Sequence, residues 1–198
     1  MGDVLQFPGA VRNRGYTRAR RSTLRDDPNQ LSLFADAPTP EAPLTPFEQA
    51  LLFDEQEDGR AAELYRQAIE NNDSVADAYC NLGILESRLG KTARAFDCFT
   101  RALKQDPRHG TAHYNLANLY FEANELRLAQ LHYEMATRVT PTLAVAHFNL
   151  SLARAQHGDV AGALDAMLAY RQLVTDPADT QLADTVLDAL RTASNETT

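Results

Sequence analysis

The sequence predicts an all-α protein in which helical hairpins repeat along the chain and stack as a solenoid. The first observation is a period of 34 residues, at which Asn81, Asn115 and Asn149 recur, each followed by a leucine and a small residue. The second is the helical spacing of apolar residues within a period, as at Leu82 and Leu85. A single hairpin cannot bury its apolar face, so roughly three or more units must stack.

Each period divides into two helices. Gly90 and Gly158 stand where the first helix of a unit turns into the second, because glycine readily takes the conformation that ends a helix. Pro107 and Pro141 end second helices, since proline cannot continue the hydrogen-bond ladder. Gly83 lets the two helices of its unit approach closely. The sequence therefore predicts helix–turn–helix units.

These columns resemble the tetratricopeptide repeat family. In the second unit the matching residues are Tyr79, Leu82, Gly83, Ala95, Phe99, Ala102 and Pro107. The repeats span residues 44–177, in units of residues 44–75 (degenerate), 76–109, 110–143 and 144–177. Asp73 replaces proline in the first unit, and Arg154 and Tyr170 replace a bulky and a small residue in the last. The resemblance implies a right-handed superhelix whose concave face is lined by the first helix of each unit.

A further helix is predicted at residues 178–193. Leu182, Val186 and Leu190 form an apolar stripe on it, and its opposite side is polar. Asp179 or Thr180 is the expected N-cap. This helix is predicted to cap the end of the solenoid.

The concave face is the predicted binding site. The three asparagines would form a ladder there, and an amide side chain offers both a donor and an acceptor to the backbone of an extended peptide. In the family, asparagine at this position often makes that contact, although asparagine is also simply common there. The predicted groove residues are Asn81, Asn115, Asn149, Tyr114, Asn118, Phe121, Phe148, Leu152 and Arg88. Chaperone-binding members carry lysine in a column that here holds Cys80, Tyr114 and Phe148, which disfavours a chaperone tail as the ligand.

Residues 1–43 are predicted to be a disordered tail, with an Arg-rich stretch at 10–25, the pentapeptide QLSLF at 30–34 and a Pro-rich linker at 35–43. Residues 1–40 carry six arginines against four aspartates, whereas residues 41–198 carry 13 basic against 23 acidic residues. The basic residues are Arg12, Arg14, Arg18, Arg20, Arg21 and Arg25. Such an arm binds nucleic acid weakly through phosphates; the alternative is a solvated tail that aids solubility.

The pentapeptide resembles the short motif with which bacterial polymerases and repair proteins bind the DNA sliding clamp. All five positions match: Gln30, Leu31, Ser32, Leu33 and Phe34. The resemblance implies that Gln30 enters a polar subsite and that the apolar residues fill pockets. Alternatively, the pentapeptide folds back onto the protein's own groove or covers the open N-terminal end of the solenoid.

Other classes of function find little support in the sequence. The net charge of −8 and the lack of an apolar run of about 18 residues disfavour a nucleic-acid-binding body and a membrane partner. Cys80 and Cys98 lack the spacing of a disulfide framework or a zinc site. His109, His113 and His132 suggest a metal site, but His113 shares its repeat column with His147, which favours a packing role for this residue. No metal or cofactor is expected.

The sequence contains no recognisable catalytic motif, so an enzyme is not expected. The first hypothesis is a cytoplasmic, non-enzymatic adaptor that holds a protein or peptide in its groove and is tethered to the sliding clamp by its tail. The alternatives are a plain scaffold and a regulatory subunit of an enzyme, with a tail that packs on its own body or binds nucleic acid.

Overall fold

The computed structural model describes Thr17 and residues 43–196. Within these residues the backbone forms nine α-helices and no β-strand, which confirms the predicted fold class. The helices are α1 (Pro46–Glu55), α2 (Arg60–Glu70), α3 (Val75–Arg88), α4 (Thr92–Gln105), α5 (Gly110–Glu122), α6 (Leu126–Val139), α7 (Ala144–Gln156), α8 (Val160–Leu173) and α9 (Pro177–Glu196). The helices between residues 43 and 196 are all too short or too polar to cross a bilayer.

Consecutive helices pack as hairpins: α1 with α2, α3 with α4, α5 with α6, and α7 with α8. The second helix of each hairpin also contacts the first helix of the next, and α8 contacts α9 in the same way. Contacts between α3 and α5 bring first helices of neighbouring units side by side. The described chain is therefore a solenoid of four hairpins that ends in one additional helix.

The repeat columns form the core. Alanines at the same position of each second helix are at most 1% exposed, and so are the large residues four positions later. These residues are Ala61, Ala95, Ala129 and Ala163, then Tyr65, Phe99, Tyr133 and Met167. At Gly83 the paired helices are so close that an added Cβ would lie 2.7 Å from Cε1 of Phe99. A small residue is required at that point, as the sequence indicates.

The turn inside each of the four hairpins contains one residue in the left-handed region. In the last three hairpins these are Gly90 (φ 70°), Asn124 (φ 60°) and Gly158 (φ 88°), at intervals of 34 residues, and in the first it is Glu57 (φ 55°). Glycine has no Cβ to clash there, and asparagine tolerates this conformation better than most residues. The sequence analysis identified the two glycines but not Asn124, which serves the same purpose.

The first helix is capped at its N-terminus from two directions. Thr45 and Glu48 form a capping box, in which the Thr45 hydroxyl accepts from the Glu48 N–H and the Glu48 carboxylate accepts from the Thr45 N–H. The carboxylate of Asp73, the residue that replaces the expected proline, accepts from the N–H of Phe47 at 2.9 Å. Asp73 therefore has a structural role at the start of the solenoid.

The predicted N-cap of the last helix is wrong. Oδ1 of Asp176 accepts from the N–H groups of Ala178 (2.9 Å) and Asp179 (3.2 Å), so the helix starts at Pro177. Proline fits the first helical position because its missing N–H would have no partner there. The helix continues to Glu196 and is longer than the predicted range of 178–193.

Candidate functional site

The three ladder asparagines lie on α3, α5 and α7, one on each first helix, and all three are fully buried. We call the surface formed by these three helices the groove. A buried amide must find hydrogen-bond partners, because an unsatisfied polar group in the interior is costly. The partners of these side chains therefore report what the groove can hold.

Asn115 binds the main chain of a residue far away in the sequence. Its Oδ1 accepts from the N–H of Thr17 at 2.9 Å, and its Nδ2 donates to the carbonyl oxygen of Thr17 at 2.8 Å. The two residues are 98 positions apart. The N–H and C=O of a single residue point to the same side only when its backbone is extended, as in a β-strand. The Asn115 side chain thus binds an extended main chain, and neither hydrogen bond involves the side chain of Thr17.

The remaining amide hydrogen of Asn115 is directed at Cys80 on the neighbouring first helix, at 3.6 Å from Sγ. Cys80 is fully buried, and this burial raises the pKa of its thiol well above the ordinary value. The uncharged thiol therefore stays in place as a weak acceptor. Contacts on both sides fix the orientation of the Asn115 amide.

Asn149 takes part in a polar network between α5, α6 and α7. Its Nδ2 donates to the hydroxyl of Tyr114 (3.1 Å) and to Oδ1 of Asn118 (3.0 Å). The hydroxyl of Tyr133 donates to the same Asn118 oxygen at 2.6 Å. This network holds predicted groove residues in fixed positions. Asn81 is equally buried on α3.

The apolar residues predicted to line the groove also belong to the core. Phe148 and Leu152 are 1% and 2% exposed, and they pack in a cluster with residues of α8 and α9. The Phe148 ring meets that of Tyr170 edge to face, with 5.0 Å between centroids. Phe121 is partly buried against the same cluster. Contact of these side chains with a ligand stays a prediction.

Arg88, the predicted groove cation, is directed towards an internal carboxylate. Its Nη1 lies 3.4 Å from Oδ1 of Asp54, a residue that is 1% exposed and also accepts from the hydroxyl of Tyr65. A surface cavity of about 340 Å³ adjoins this pair between α1, α2 and α3. The ion pair offsets the charge with which Arg88 would attract an acidic ligand.

The histidines are held by hydrogen bonds within the solenoid. Nε2 of His113 lies 3.1 Å from the carbonyl oxygen of Pro107, and Nε2 of His147 lies 3.0 Å from that of Pro141, one repeat later. His113 and His132 share a hydrogen bond of 3.0 Å between their Nδ1 atoms. In the part of the chain that the structure describes, no group of three or more potential ligands is placed to hold a metal.

Two of the predicted sites fall in the tail. The pentapeptide at residues 30–34 and the six arginines at positions 12–25 lie outside the described residues. Thr17, within the Arg-rich stretch, contacts a ladder asparagine, and the sequence analysis did not identify it. A contact made by the main chain leaves no signature in residue type, so no pattern could have identified it.

Comparisons with known proteins agree with this fold. Residues 76–109 and 98–130 match two family models described as tetratricopeptide repeat. Tetratricopeptide repeat protein 8 from Homo sapiens is 30% identical over 112 residues, which are 57% of this chain and 21% of that protein. Protein O-mannosyl-transferase TMTC3 from Homo sapiens is 30% identical over 101 residues, which are 50% of this chain and 11% of that protein. The chain thus spans about a fifth or less of these relatives.

Two solved structures have a similar fold. MamA from Desulfovibrio magneticus RS-1 aligns with a TM-score of 0.57 at 20% identity, over 74% of this chain and 86% of that one. The first tetratricopeptide repeat domain of Spaghetti (RPAP3), bound to the HSP90 peptide SRMEEVD, aligns with a TM-score of 0.55 at 20% identity, over 61% and 93%. Residues 76–130 therefore match the tetratricopeptide repeat, and the described helices form an all-α solenoid with the fold of these structures.

Proposed function

We propose that this chain is a non-enzymatic adaptor that binds an extended peptide in the groove, with Asn115 as the residue that holds the peptide backbone. The observation that carries the proposal is the pair of hydrogen bonds between the buried Asn115 side chain and the main chain of Thr17. It supports the proposal, because any extended residue other than proline presents the same N–H and C=O groups. The RPAP3 domain, a structural neighbour, holds a peptide as well.

The ligand is proposed to be of a different kind from the acidic HSP90 peptide. The groove column in which chaperone-binding relatives place lysine here holds Cys80, Tyr114 and Phe148, and all three are buried and uncharged. Arg88 forms an ion pair with Asp54. A main-chain clamp with a partly aromatic wall suits an extended peptide that carries neutral or basic side chains.

Affinity purification from a lysate tests this function. The full chain, Asn115→Ala and Asn149→Ala would be compared, with Asn195→Ala as the control because Asn195 is exposed near the end of α9. We expect partner proteins to be recovered with the wild type and the control and to be lost with Asn115→Ala and with Asn149→Ala. Equal recovery with Asn115→Ala would contradict a groove that binds through this residue.

We also propose that the pentapeptide at residues 30–34 tethers the adaptor to a bacterial sliding clamp. The support is its five-position match to the clamp-binding motif. Joining two modest sites on one chain raises the overall affinity through effective concentration. A labelled peptide of residues 26–38 should bind a bacterial clamp, and Leu33→Ala/Phe34→Ala should abolish binding. A peptide that binds regardless of this double change would refute the tether.

The Arg-rich arm is a weaker candidate for binding nucleic acid. Its six arginines without an acidic residue at positions 10–25 support phosphate contacts, which must weaken as salt rises. Binding to an oligonucleotide that stays constant between low and high salt would rule this mechanism out. A regulatory subunit of an enzyme is the alternative to an adaptor, and a stoichiometric, catalytically active partner in the purified complex would favour it.

A further inference from the structure

The contact between Asn115 and Thr17 has a regulatory consequence for the groove. One amide side chain has one carbonyl oxygen and two N–H hydrogens. In Asn115 the oxygen and one hydrogen bind Thr17, and the other hydrogen is directed at Cys80. The same side chain therefore cannot hold the backbone of a second peptide in this way while Thr17 is bound.

We propose that the N-terminal segment carrying Thr17 is an intramolecular ligand of the groove, which an external peptide must displace. This inference rests on the proposed function, because it names what occupies the same site in the free protein. Thr17 itself is partly buried at this position. The segment thus competes with external ligands and sets the affinity that they must exceed.

Charge supports this choice of occupant. Residues 10–25 carry six arginines and no acidic residue, whereas residues 41–198 carry 23 acidic against 13 basic residues. A basic segment is attracted to an acidic body, and this attraction weakens with added salt. An acidic external segment of the same length would lack that attraction.

The connection between the segment and the solenoid also permits the contact. The 25 residues from 18 to 42 separate Thr17 from the described body. A chain of that length can span up to roughly 90 Å when fully extended. Attachment to the same chain gives such a ligand an effective concentration on the order of millimolar. Attachment therefore raises the occupancy of the groove by a contact that would be weaker between separate molecules.

The contact depends on the Thr17 N–H, so two variants at this position can test it. Thr17→Pro removes that hydrogen, whereas Thr17→Ala keeps both main-chain groups and changes only the side chain. Neither change touches the helical body. Hydrogen exchange of the Thr17 amide, followed by NMR in the full-length chain, should be slow in the wild type and fast in Asn115→Ala. An exchange rate at the unprotected value in the wild type would overturn the proposal.

The second readout is competition in the full-length protein. The probe is a labelled synthetic peptide of residues 10–25, added to the wild type, Thr17→Ala and Thr17→Pro. We expect Thr17→Pro to bind it about tenfold or more tightly than the other two, because the attached competitor is weakened. Equal, Asn115-dependent binding to all three would overturn the intramolecular ligand and leave the proposed peptide-binding function standing. Absence of binding to all three, together with an unprotected Thr17 amide, would also overturn the intramolecular ligand. The lysate purification then tests the proposed function independently.

Discussion

At the scale of single residues, the His113–His132 pair shows how the fold fixes a protonation state. The carbonyl oxygen of Pro107 can only accept, so Nε2 of His113 carries the hydrogen that it donates. Nδ1 of neutral His113 must then accept from Nδ1–H of His132. Burial lowers the pKa of His113, and burial together with repulsion from His113 lowers the pKa of His132 to about 4.

The pair predicts a loss of stability in mild acid. A histidine in the unfolded chain titrates near a pKa of about 6.5, above the folded value of about 4 for His132, so the unfolded state binds more protons between these limits. The free energy of unfolding should therefore fall as pH drops from about 6.5 to about 4, by on the order of 1–3 kcal/mol from this pair, and level off below. Urea denaturation across this range measures it.

Two variants separate the contribution of the histidine pair to the pH dependence of stability from that of the carboxylates. His132→Phe removes one partner and should flatten the dependence on pH between 6.5 and 4. The control His157→Gln, at an exposed position on the turn before α8, should keep the wild-type dependence. An identical slope in His132→Phe and the wild type would show that the pair is not held neutral.

At the scale of helices, the packing of the second hairpin depends on a small residue in its first helix. A Cβ at position 83 would meet Cε1 and Cδ1 of Phe99 at 2.7 and 2.9 Å, and Phe99 is fully buried. We expect Gly83→Ala to destabilise the protein by about 1–3 kcal/mol, because overpacking forces neighbours to shift. Gly59→Ala is the control, since no atom lies within 4 Å of its added Cβ. Chemical denaturation that ranks Gly59→Ala as the more damaging change would contradict this packing.

The last helix depends on its cap. Asp176→Ala removes the acceptor for two N–H groups at the start of α9, so we expect a loss of about 0.5–2 kcal/mol. The matched comparison is Thr180→Ala, which changes a residue inside the helix and should cost less. Thermal unfolding followed by circular dichroism measures both, and equal losses would argue against Asp176 as the cap.

The elements show what sequence patterns can and cannot predict. The buried columns were predictable because each carries the same residue class every 34 positions. The Asp176 cap was missed although a signal existed, an Asp directly before Pro at the first helical position. Asn124 was missed because asparagine has several roles in sequences, and only its left-handed backbone reveals this one. The fourth unit departs from the pattern at Tyr170, which packs on Phe148 where α9 ends the solenoid.

At the scale of the whole molecule, the solenoid brings residues of distant sequence together. The asparagine ladder was predictable from its period, whereas the contact with Thr17 was not. An amide that hydrogen-bonds to the main chain can bind any extended residue except proline. It selects no particular side chain, so the bound segment carries no recognisable sequence motif. The folded helices provide the position of Asn115, and the charge difference between residues 1–40 and the body provides a general attraction.

The most direct test of Asn115 as a main-chain clamp is the affinity of the labelled peptide of residues 10–25 for two full-length proteins. Both carry Thr17→Pro, and one also carries Asn115→Ala. Two hydrogen bonds worth about 0.5–1.5 kcal/mol each predict a loss of roughly fivefold or more in the second protein. Equal affinities, with both proteins folded by circular dichroism, would contradict the clamp.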